Sequence, residues 1–563
     1  MRRLSNKNII FVCLLLFSFM LHAQKEKDSV KTEIIEVTRS FTPKVQDAFK
    51  LQVNPEAEKV TEKKIPVQYK IQSVPAASTF EPKKGSMVNF SARAQHENAF
   101  SSYASLGLGN YSRIKTDAFV FYPVTDELGA AFRLKHHSSQ GGKYKDITYN
   151  PYYDTNADII FDYNHENTQW KTDFGFKADV NDLRIFDRIG PYDAAGISKN
   201  RANKIISFCV DGNFEEQFIK TISAQYNGYW DNASNTENKF NFFSDFIFPV
   251  GDFNLKMGIQ ADYLKGDINL EHFGNTYTEK NKIYSYFDLG ALPSIQVEND
   301  RLIMNLGAKI YYQNANFYNN FQFIPNADIS YNLIYEKLSV YAGATGNIKQ
   351  NPYMELTQNN PFLVPETGIR PALTPYDVYG GLNGAFSSSF SYDLKMGFKR
   401  IKNRVFYDFA ADLYGRYKLI YDNMNQSYLK TALNVGIGKK FDLKLKFNYM
   451  QNNPDHFAKA WNVPEYEFGS LLSFHPIETL NVDFELVNVS ERSVSQDGVY
   501  FRTLPSYTDL NLGINYNINE HFSVFVEGNN LLNKTYGQYF NYPVHAIQVL
   551  GGLSYRFDIV NDN

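Results

Sequence analysis

The sequence predicts an all-β fold, a transmembrane antiparallel β-barrel of about 22 strands that follows a short extended N-terminal segment. Three observations predict it. Aromatic residues make up 16% of the 563 residues, although the chain as a whole is hydrophilic. Apolar and polar residues alternate with a period of two over segments of about ten residues, the length that a tilted membrane strand needs. Short and long connections take turns between these segments.

The alternation is clearest in two segments. One face of the first would carry Phe253, Leu255, Met257, Ile259, Ala261 and Tyr263, and one face of the second Phe441, Leu443, Leu445, Phe447 and Tyr449. A helix would spread these residues around its axis, whereas a strand separates them from the polar residues between them. Further copies run from Leu302 to Ile310, Phe390 to Phe398, Leu480 to Leu486 and Val549 to Phe557.

The connections predict the topology. Tight turns fall at Val124 to Glu127, Pro249 to Asp252, Ser387 to Ser389 and Asn517 to Glu520. Long polar loops fall at Lys265 to Lys280, Gly346 to Pro375, Asn452 to Pro464, Ser490 to Ser506 and Asn530 to Pro543. Because short turns are periplasmic and long loops extracellular in outer-membrane barrels, we expect a barrel over residues 87–557 with both ends in the periplasm. The segment from Arg400 to Tyr428 can be divided into strands in more than one way.

The N-terminus has the pattern of a secretion signal. Arg2, Arg3 and Lys7 precede an apolar run from Ile9 to Leu21, which is followed by His22 and Ala23. A run of about 13 residues is too short to cross ~30 Å of hydrocarbon as a helix. Residues 1–23 are therefore predicted to be a cleaved signal peptide, with a membrane anchor as the alternative. The predicted location is the outer membrane of a Gram-negative bacterium.

Residues 24–86 are rich in Lys, Glu, Pro, Val and Ser and predict an extended, partly disordered periplasmic tether. Within it, a short segment loosely resembles a TonB box, which would add a strand to the sheet of the energising protein; it comprises Thr32, Glu33, Ile34, Ile35, Glu36, Val37 and Thr38. A plain linker is the alternative. Residues 558–563 form a polar tail after the last strand.

Composition argues against several other classes. The net charge is −3 without a basic block, so no nucleic-acid partner is expected. The mature chain keeps one cysteine, Cys209, which excludes an intrachain disulfide. His136 and His137 are adjacent and would point to opposite faces of a strand, so no metal site is expected, and no cofactor or enzyme motif emerges. A soluble β-sandwich or propeller is the competing fold, but no blade-length repeat supports a propeller.

The C-terminal part resembles a known family. The strand from Gly551 to Phe557 looks like the β-signal that the outer-membrane assembly machinery recognises, with Gly552, Tyr555 and Phe557 as its defining residues. The segments Leu504-Pro505-Ser506-Tyr507 and Asn530-Leu531-Leu532-Asn533-Lys534, with Tyr536, resemble the barrel of TonB-dependent receptors. Looser similarity extends through Tyr353-Met354-Glu355-Leu356, Asn360-Pro361 and Tyr376 to Lys402. The sequence style also resembles that of Bacteroidetes outer-membrane proteins.

The chain departs from that family at its front, because residues 24–86 are too few for a full-size plug. The extension, inward-folding loops or a separate protein would have to fill the lumen. The resemblance implies a receptor or pore for solute uptake across the outer membrane. The alternative is a plug-less barrel that serves as the membrane scaffold of an outer-membrane complex. The expected partners are outer-membrane lipids, the assembly machinery, and TonB or another periplasmic or outer-membrane protein that would bind residues 24–86.

Overall fold

The computed structural model describes residues 101–141, 151–182, 200–215, 217–270, 281–315, 318–335, 337–365, 368–387, 389–410, 416–438, 440–496, 500–540 and 542–559. The predicted signal peptide, tether and TonB-box-like segment lie outside the described residues, as do residues 560–563 of the predicted tail.

The described chain consists almost entirely of strands, which we number in chain order. They are β1 Ser102–Gly109, β2 Arg113–Pro123, β3 Leu128–Ser139, β4 Tyr152–His165, β5 Thr168–Asp182, β6 Asn200–Phe214, β7 Ile219–Asp231, β8 Thr236–Val250, β9 Phe253–Asn269, β10 Asn281–Glu298, β11 Leu302–Ala315, β12 Tyr318–Ile334, β13 Leu338–Lys349, β14 Ala372–Ser387, β15 Phe390–Ala410, β16 Arg416–Ile437, β17 Phe441–Pro454, β18 Tyr466–Ile477, β19 Leu480–Val489, β20 Arg492–Gln496, β21 Tyr500–Leu504, β22 Tyr507–Asn517, β23 Phe522–Asn529, β24 Gly537–Tyr539, β25 Tyr542–Pro543 and β26 Gln548–Phe557. In the described ranges one α-helix, α1, covers Tyr353–Asn359, and a 3₁₀ turn covers Asn110–Ser112.

The main sheet closes on itself. Of its 24 strands, 22 form an antiparallel ring in the order β1 to β19, β22, β23 and β26. The ring closes where β26 pairs with β1, from Ser102 opposite Phe557 to Gly109 opposite Leu550. The two remaining strands, β20 and β21, form a hairpin whose first strand pairs in parallel with the end of β15. The predicted 22-strand barrel is thus confirmed.

The two rims of the barrel differ in their connections. At one, the short-turn rim, no connection is longer than four residues; it includes the turns after β2, β8, β14 and β22. At the other, the long-loop rim, lie the segments after β13, β17, β19 and β23. Both ends of the barrel meet at the short-turn rim, where the backbone N–H and hydroxyl of Ser101 donate to the Asp558 carboxylate at 2.7 and 2.8 Å.

The outer and inner faces of the wall differ as the alternation predicts. Strand β9 is an example: Phe253, Leu255, Met257 and Ile259 point outward and are 38–40% exposed, whereas Lys256 points inward and is half-buried. Large exposed apolar side chains recur on the outer face of most strands, among them Leu106, Phe132, Phe174, Phe398 and Leu553. Such a surface is stable only against lipid. Within the described ranges, no helix has the length and apolar character needed to cross a membrane.

The segment from Arg400 to Tyr428, which the sequence leaves undivided, contains the end of β15 and the start of β16. These strands have 21 and 22 residues and exceed the ~10 residues that cross a bilayer. The register shifts between Ile401 and Arg404, where Asn403 adopts a left-handed φ of 52°. Asparagine tolerates this conformation better than most residues.

Candidate functional site

The connection between β13 and β14, residues 350–371, is the centre of the candidate site, and we call it the α1 loop. Its described residues, 350–365 and 368–371, fold into the barrel. Asn351, with a left-handed φ of 55°, turns the chain after β13, and Pro352 precedes the first helical residue. Helix α1 then follows with Tyr353, Met354 and Leu356 buried. Seven residues are too few for a stable isolated helix, so contacts with the wall must hold it.

A glutamate from across the lumen caps this helix. Glu237 near the start of β8 accepts hydrogen bonds from the backbone N–H groups of Tyr353 at 2.7 Å and Met354 at 2.9 Å. The Tyr284 hydroxyl of β10 donates to the same carboxylate. The first N–H groups of a helix have no partner within the helix, and its N-terminus favours negative charge. Glu237 supplies acceptor oxygens for two of these N–H groups, from a strand five positions before β13.

An ion pair reinforces the cap. Lys239, two residues along β8, donates to Glu355 at 2.8 Å, and Lys349 lies 3.6 Å from the same carboxylate. Burial acts to raise the pKa of Glu355, but the two lysines outweigh it and lower that pKa below its usual value. Glu355 therefore stays ionised at neutral pH.

The second half of the α1 loop binds the opposite wall. The backbone of Tyr417 on β16 donates to the Phe362 carbonyl at 3.0 Å and accepts from the Val364 N–H at 2.8 Å. On the β6 side, the Arg201 guanidinium donates to the Leu363 carbonyl at 2.5 Å. The Tyr539 hydroxyl, from the loop after β23, donates to the Asn359 carbonyl at 2.8 Å. One loop thus bridges strands that lie ten positions apart around the barrel.

Apolar packing fills the space around these contacts. A buried cluster joins the α1 loop to the wall and contains Ile205, Tyr229, Leu264, Ile268, Leu270, Tyr284, Tyr286, Ala315, Tyr353, Met354, Leu356, Leu363, Ile369 and Leu419. Along the inner face of β9, Lys256 and Asp262 are half-buried, whereas Leu264 and Ile268 are fully buried. The α1 loop therefore covers the part of the lumen next to the long-loop rim.

This arrangement corrects one expectation. The segment from Gly346 to Pro375 was predicted to be a polar loop, but its middle is apolar and buried because it packs inside the lumen. Of the three predicted fillers, an inward-folding loop is present. The run Phe362-Leu363-Val364 was the available signal, because such a run in a connection indicates burial.

The predicted β-signal residues lie together on the closing strand β26. Gly552 is directly opposite Gly107, and a Cβ at Gly552 would lie 2.3 Å from the Leu106 carbonyl oxygen. Tyr555 points outward, is 41% exposed and stacks on Phe557 with ring centroids 5.5 Å apart. Their role in assembly stays a prediction.

The two adjacent histidines and the cysteine noted in the sequence lie on strands of the wall. His136 and His137 occupy successive positions of β3 and have different partners: His136 contacts Thr155, and His137 contacts Arg113. Among the described residues, no three His, Cys, Asp or Glu side chains are grouped to hold a metal ion. Cys209 is on β6 with a free thiol that donates to Asp211.

Comparison with known proteins identifies the fold. No family model and no curated protein matches the sequence. Among solved structures, the barrel is similar to the siderophore receptor PirA from Acinetobacter baumannii, with a TM-score of 0.62 and 11% identity over 82% of this chain and 81% of that one. It is also similar to the FrpB iron transporter from Neisseria meningitidis, with a TM-score of 0.62 and 10% identity over 82% of each chain. A third is the ferric enterobactin receptor PfeA from Pseudomonas aeruginosa, with a TM-score of 0.60 and 12% identity over 82% and 81%.

At the level of fold, these similarities confirm the predicted resemblance to the barrel of TonB-dependent receptors. The three neighbours are receptors or transporters by name.

Proposed function

We propose that this protein is an outer-membrane receptor that takes up a solute through its lumen, and that the α1 loop closes this lumen. The observation that carries the proposal is the α1 loop itself, bound to β8 on one side and to β16 on the other. A 22-strand barrel encloses a wide channel, which bacterial transporters of this size keep plugged. The fold shared with siderophore receptors and an iron transporter supports uptake rather than a purely structural role.

The proposed orientation places the short-turn rim and both ends of the barrel in the periplasm, with the long-loop rim outside the cell. Residues 1–23 would direct export and be removed. In this orientation the α1 loop covers the lumen from the extracellular side, and its release would open the path of a solute entering from outside.

Two further partners belong to the proposal. Gly552, Tyr555 and Phe557 would be recognised by the outer-membrane assembly machinery, because an exposed final strand is a template for edge pairing during insertion. Residues 24–86 would bind TonB or another periplasmic protein, with Thr32–Thr38 as the strand that is added.

Conductance of the purified barrel in planar bilayers tests the proposal. The wild-type protein should conduct little, and a variant with residues 350–371 replaced by a short Gly-Ser linker should show a large, steady conductance. The matched control replaces residues 455–465, the loop after β17, in the same way and should stay closed. Cells that produce the shortened variant should also admit a large hydrophilic dye to the periplasm.

The opposite results would favour the alternative. If the shortened variant stays closed and the wild-type barrel purifies with other proteins in fixed ratio, the chain is the scaffold of an outer-membrane complex. If the wild-type barrel conducts as strongly as the shortened variant, the α1 loop does not close the lumen.

A further inference from the structure

A second cluster lies on the inner wall at the long-loop rim, beside the seam between β26 and β1. Its centre is Arg113, the first residue of β2. The Nε2 atom of His137, on β3, lies 2.9 Å from Arg113 Nη2 and 3.0 Å from the hydroxyl oxygen of Tyr152, on β4. His545, just before β26, lies between Tyr111 and Tyr152, with ring centroids 6.0 Å from each.

Arg113 is a buried cation without a carboxylate partner in the described chain. It is 2% exposed, and both its Nε and Nη1 atoms lack a hydrogen-bond partner. The neighbouring acids are already paired: Glu527 lies 2.6 Å from Lys115, and Asp154 lies 3.6 Å from Lys177. A guanidinium keeps its charge in any protein environment, and a buried charge without a counter-charge is strongly unfavourable.

Arg133 lies on the same face of β3 as His137 and contrasts with Arg113. Its guanidinium lies 2.7 Å from the buried carboxylate of Asp158 and is 35% exposed. The wall therefore gives Arg133 an acidic partner of the protein itself, but leaves two nitrogens of the more deeply buried Arg113 without a partner.

His545 adds a second set of free polar atoms. It is 4% exposed, and neither ring nitrogen has a hydrogen-bond partner. Burial lowers the pKa of His545 to about 3, and the charge of Arg113 acts in the same direction. The ring is therefore neutral at physiological pH and offers one N–H donor and one acceptor nitrogen.

We propose that Arg113 and His545 bind a small oxoanion group, either a free phosphate-like ion or a carboxylate, enclosed at the seam of the barrel. The unpaired donors belong to a permanent cation and a neutral imidazole, and such a set selects an anion over a metal cation. Arginine matches the oxygens of phosphate and carboxylate groups with charge-assisted hydrogen bonds. The inference does not depend on solute uptake, because the cluster is separate from the α1 loop.

Binding to the purified barrel tests this site directly. Phosphate, sulfate and acetate are titrated by calorimetry at constant ionic strength set with chloride, and the urea midpoint of unfolding is followed in parallel. We expect saturable binding at one site per barrel and a midpoint that rises with the anion. The three anions distinguish the two classes of ligand. A response to phosphate and sulfate indicates a free tetrahedral ion, and a response to acetate alone indicates a carboxylate.

Two variants and one control identify the residues. Arg113→Gln should remove the anion response. His545→Leu should weaken the affinity at least about tenfold, because it removes the imidazole N–H that donates to the anion. Arg133→Gln should keep full binding. In chloride buffer without oxoanions, the Arg113→Gln midpoint should equal or exceed that of wild type, because a buried unpaired charge is gone.

The contrary outcome is equally specific. If none of the three oxoanions binds the wild-type barrel and Arg113→Gln lowers the midpoint in chloride buffer without them, Arg113 is only a structural part of its aromatic surroundings. If Arg113→Gln does not insert into membranes, the His545→Leu affinity alone decides between the two.

Discussion

Two loops at the long-loop rim are held by the same kind of contact but lie differently in the barrel. In the α1 loop, Glu237 accepts the consecutive N–H groups of Tyr353 and Met354. In the loop after β17, residues 455–465, the Asp422 carboxylate accepts those of His456 at 2.8 Å and Phe457 at 2.9 Å. In both cases a carboxylate of the wall satisfies backbone donors that would otherwise be unpaired.

The two loops differ in which strand of the wall carries the carboxylate. Asp422 is on β16, next to β17, so its loop covers neighbouring strands, where Trp461 packs on Phe406 and Met424. Glu237 is on β8, and its loop has to cross the lumen to reach it. The position of one acid around the barrel thus separates a loop that lies over the rim from a loop that reaches into the lumen.

The largest effect is expected from Glu237→Ala. The substitution leaves two helix N–H groups and the Tyr284 hydroxyl without their acceptor in a buried site, at a cost of about 3 kcal/mol. Helix α1 should detach while the barrel stays folded. Hydrogen exchange should show lost protection at residues 350–371, and bilayer recordings should show new conductance.

Asp422→Ala is the matched control, since it removes the same kind of contact from the other loop. Protection should fall at residues 455–465 only, and the bilayer current should not change. Equal currents from the two variants, or full protection of the α1 loop in Glu237→Ala, would show that the two loops do not differ as we describe.

The barrel could be predicted from sequence because its rule is local. A strand whose faces meet lipid and water must alternate, and Phe253 to Tyr263 carry that pattern without reference to the rest of the chain. The turns after β2 and β22 could be placed within one or two residues for the same reason.

The α1 loop could not be predicted in this way, because it depends on contacts between distant positions. Glu237 looks like any inward-facing polar residue of an alternating strand, and its partners lie 116 and 117 residues away. Only the apolar run around Leu363, which is fully buried, indicated that this connection folds inward. The seam cluster was missed for a similar reason, since Arg113 and His545 meet only when β26 closes on β1.

A smaller effect is expected from Lys239→Gln, which removes the ion pair with Glu355. The two side chains are 19% and 32% exposed, so the pair should contribute about 1 kcal/mol to loop docking. Protection at the α1 loop should fall about fivefold without steady conductance. The control is Arg400→Gln, which removes the Asp455 pair of the other loop; its effect should be confined to residues 455–465. Open channels in Lys239→Gln would mean that the ion pair, rather than the Glu237 cap, holds the loop.

The smallest effect concerns pH and only the second loop. The hydrogen bond between the His456 ring and Asp422 raises the pKa of His456 above its usual value. A raised pKa means that the His456 ring binds its proton more tightly in the folded state than in the unfolded state. Its contribution is complete below the unfolded pKa of about 6.5 and is lost as the pH rises through the folded value. Exchange protection at residues 455–465, corrected for intrinsic rates, should therefore decline modestly as the pH rises above about 6.5, and His456→Gln should remove that decline. A decline that persists in His456→Gln would assign the pH dependence to another group, and Asp422 would then act through its backbone contacts alone.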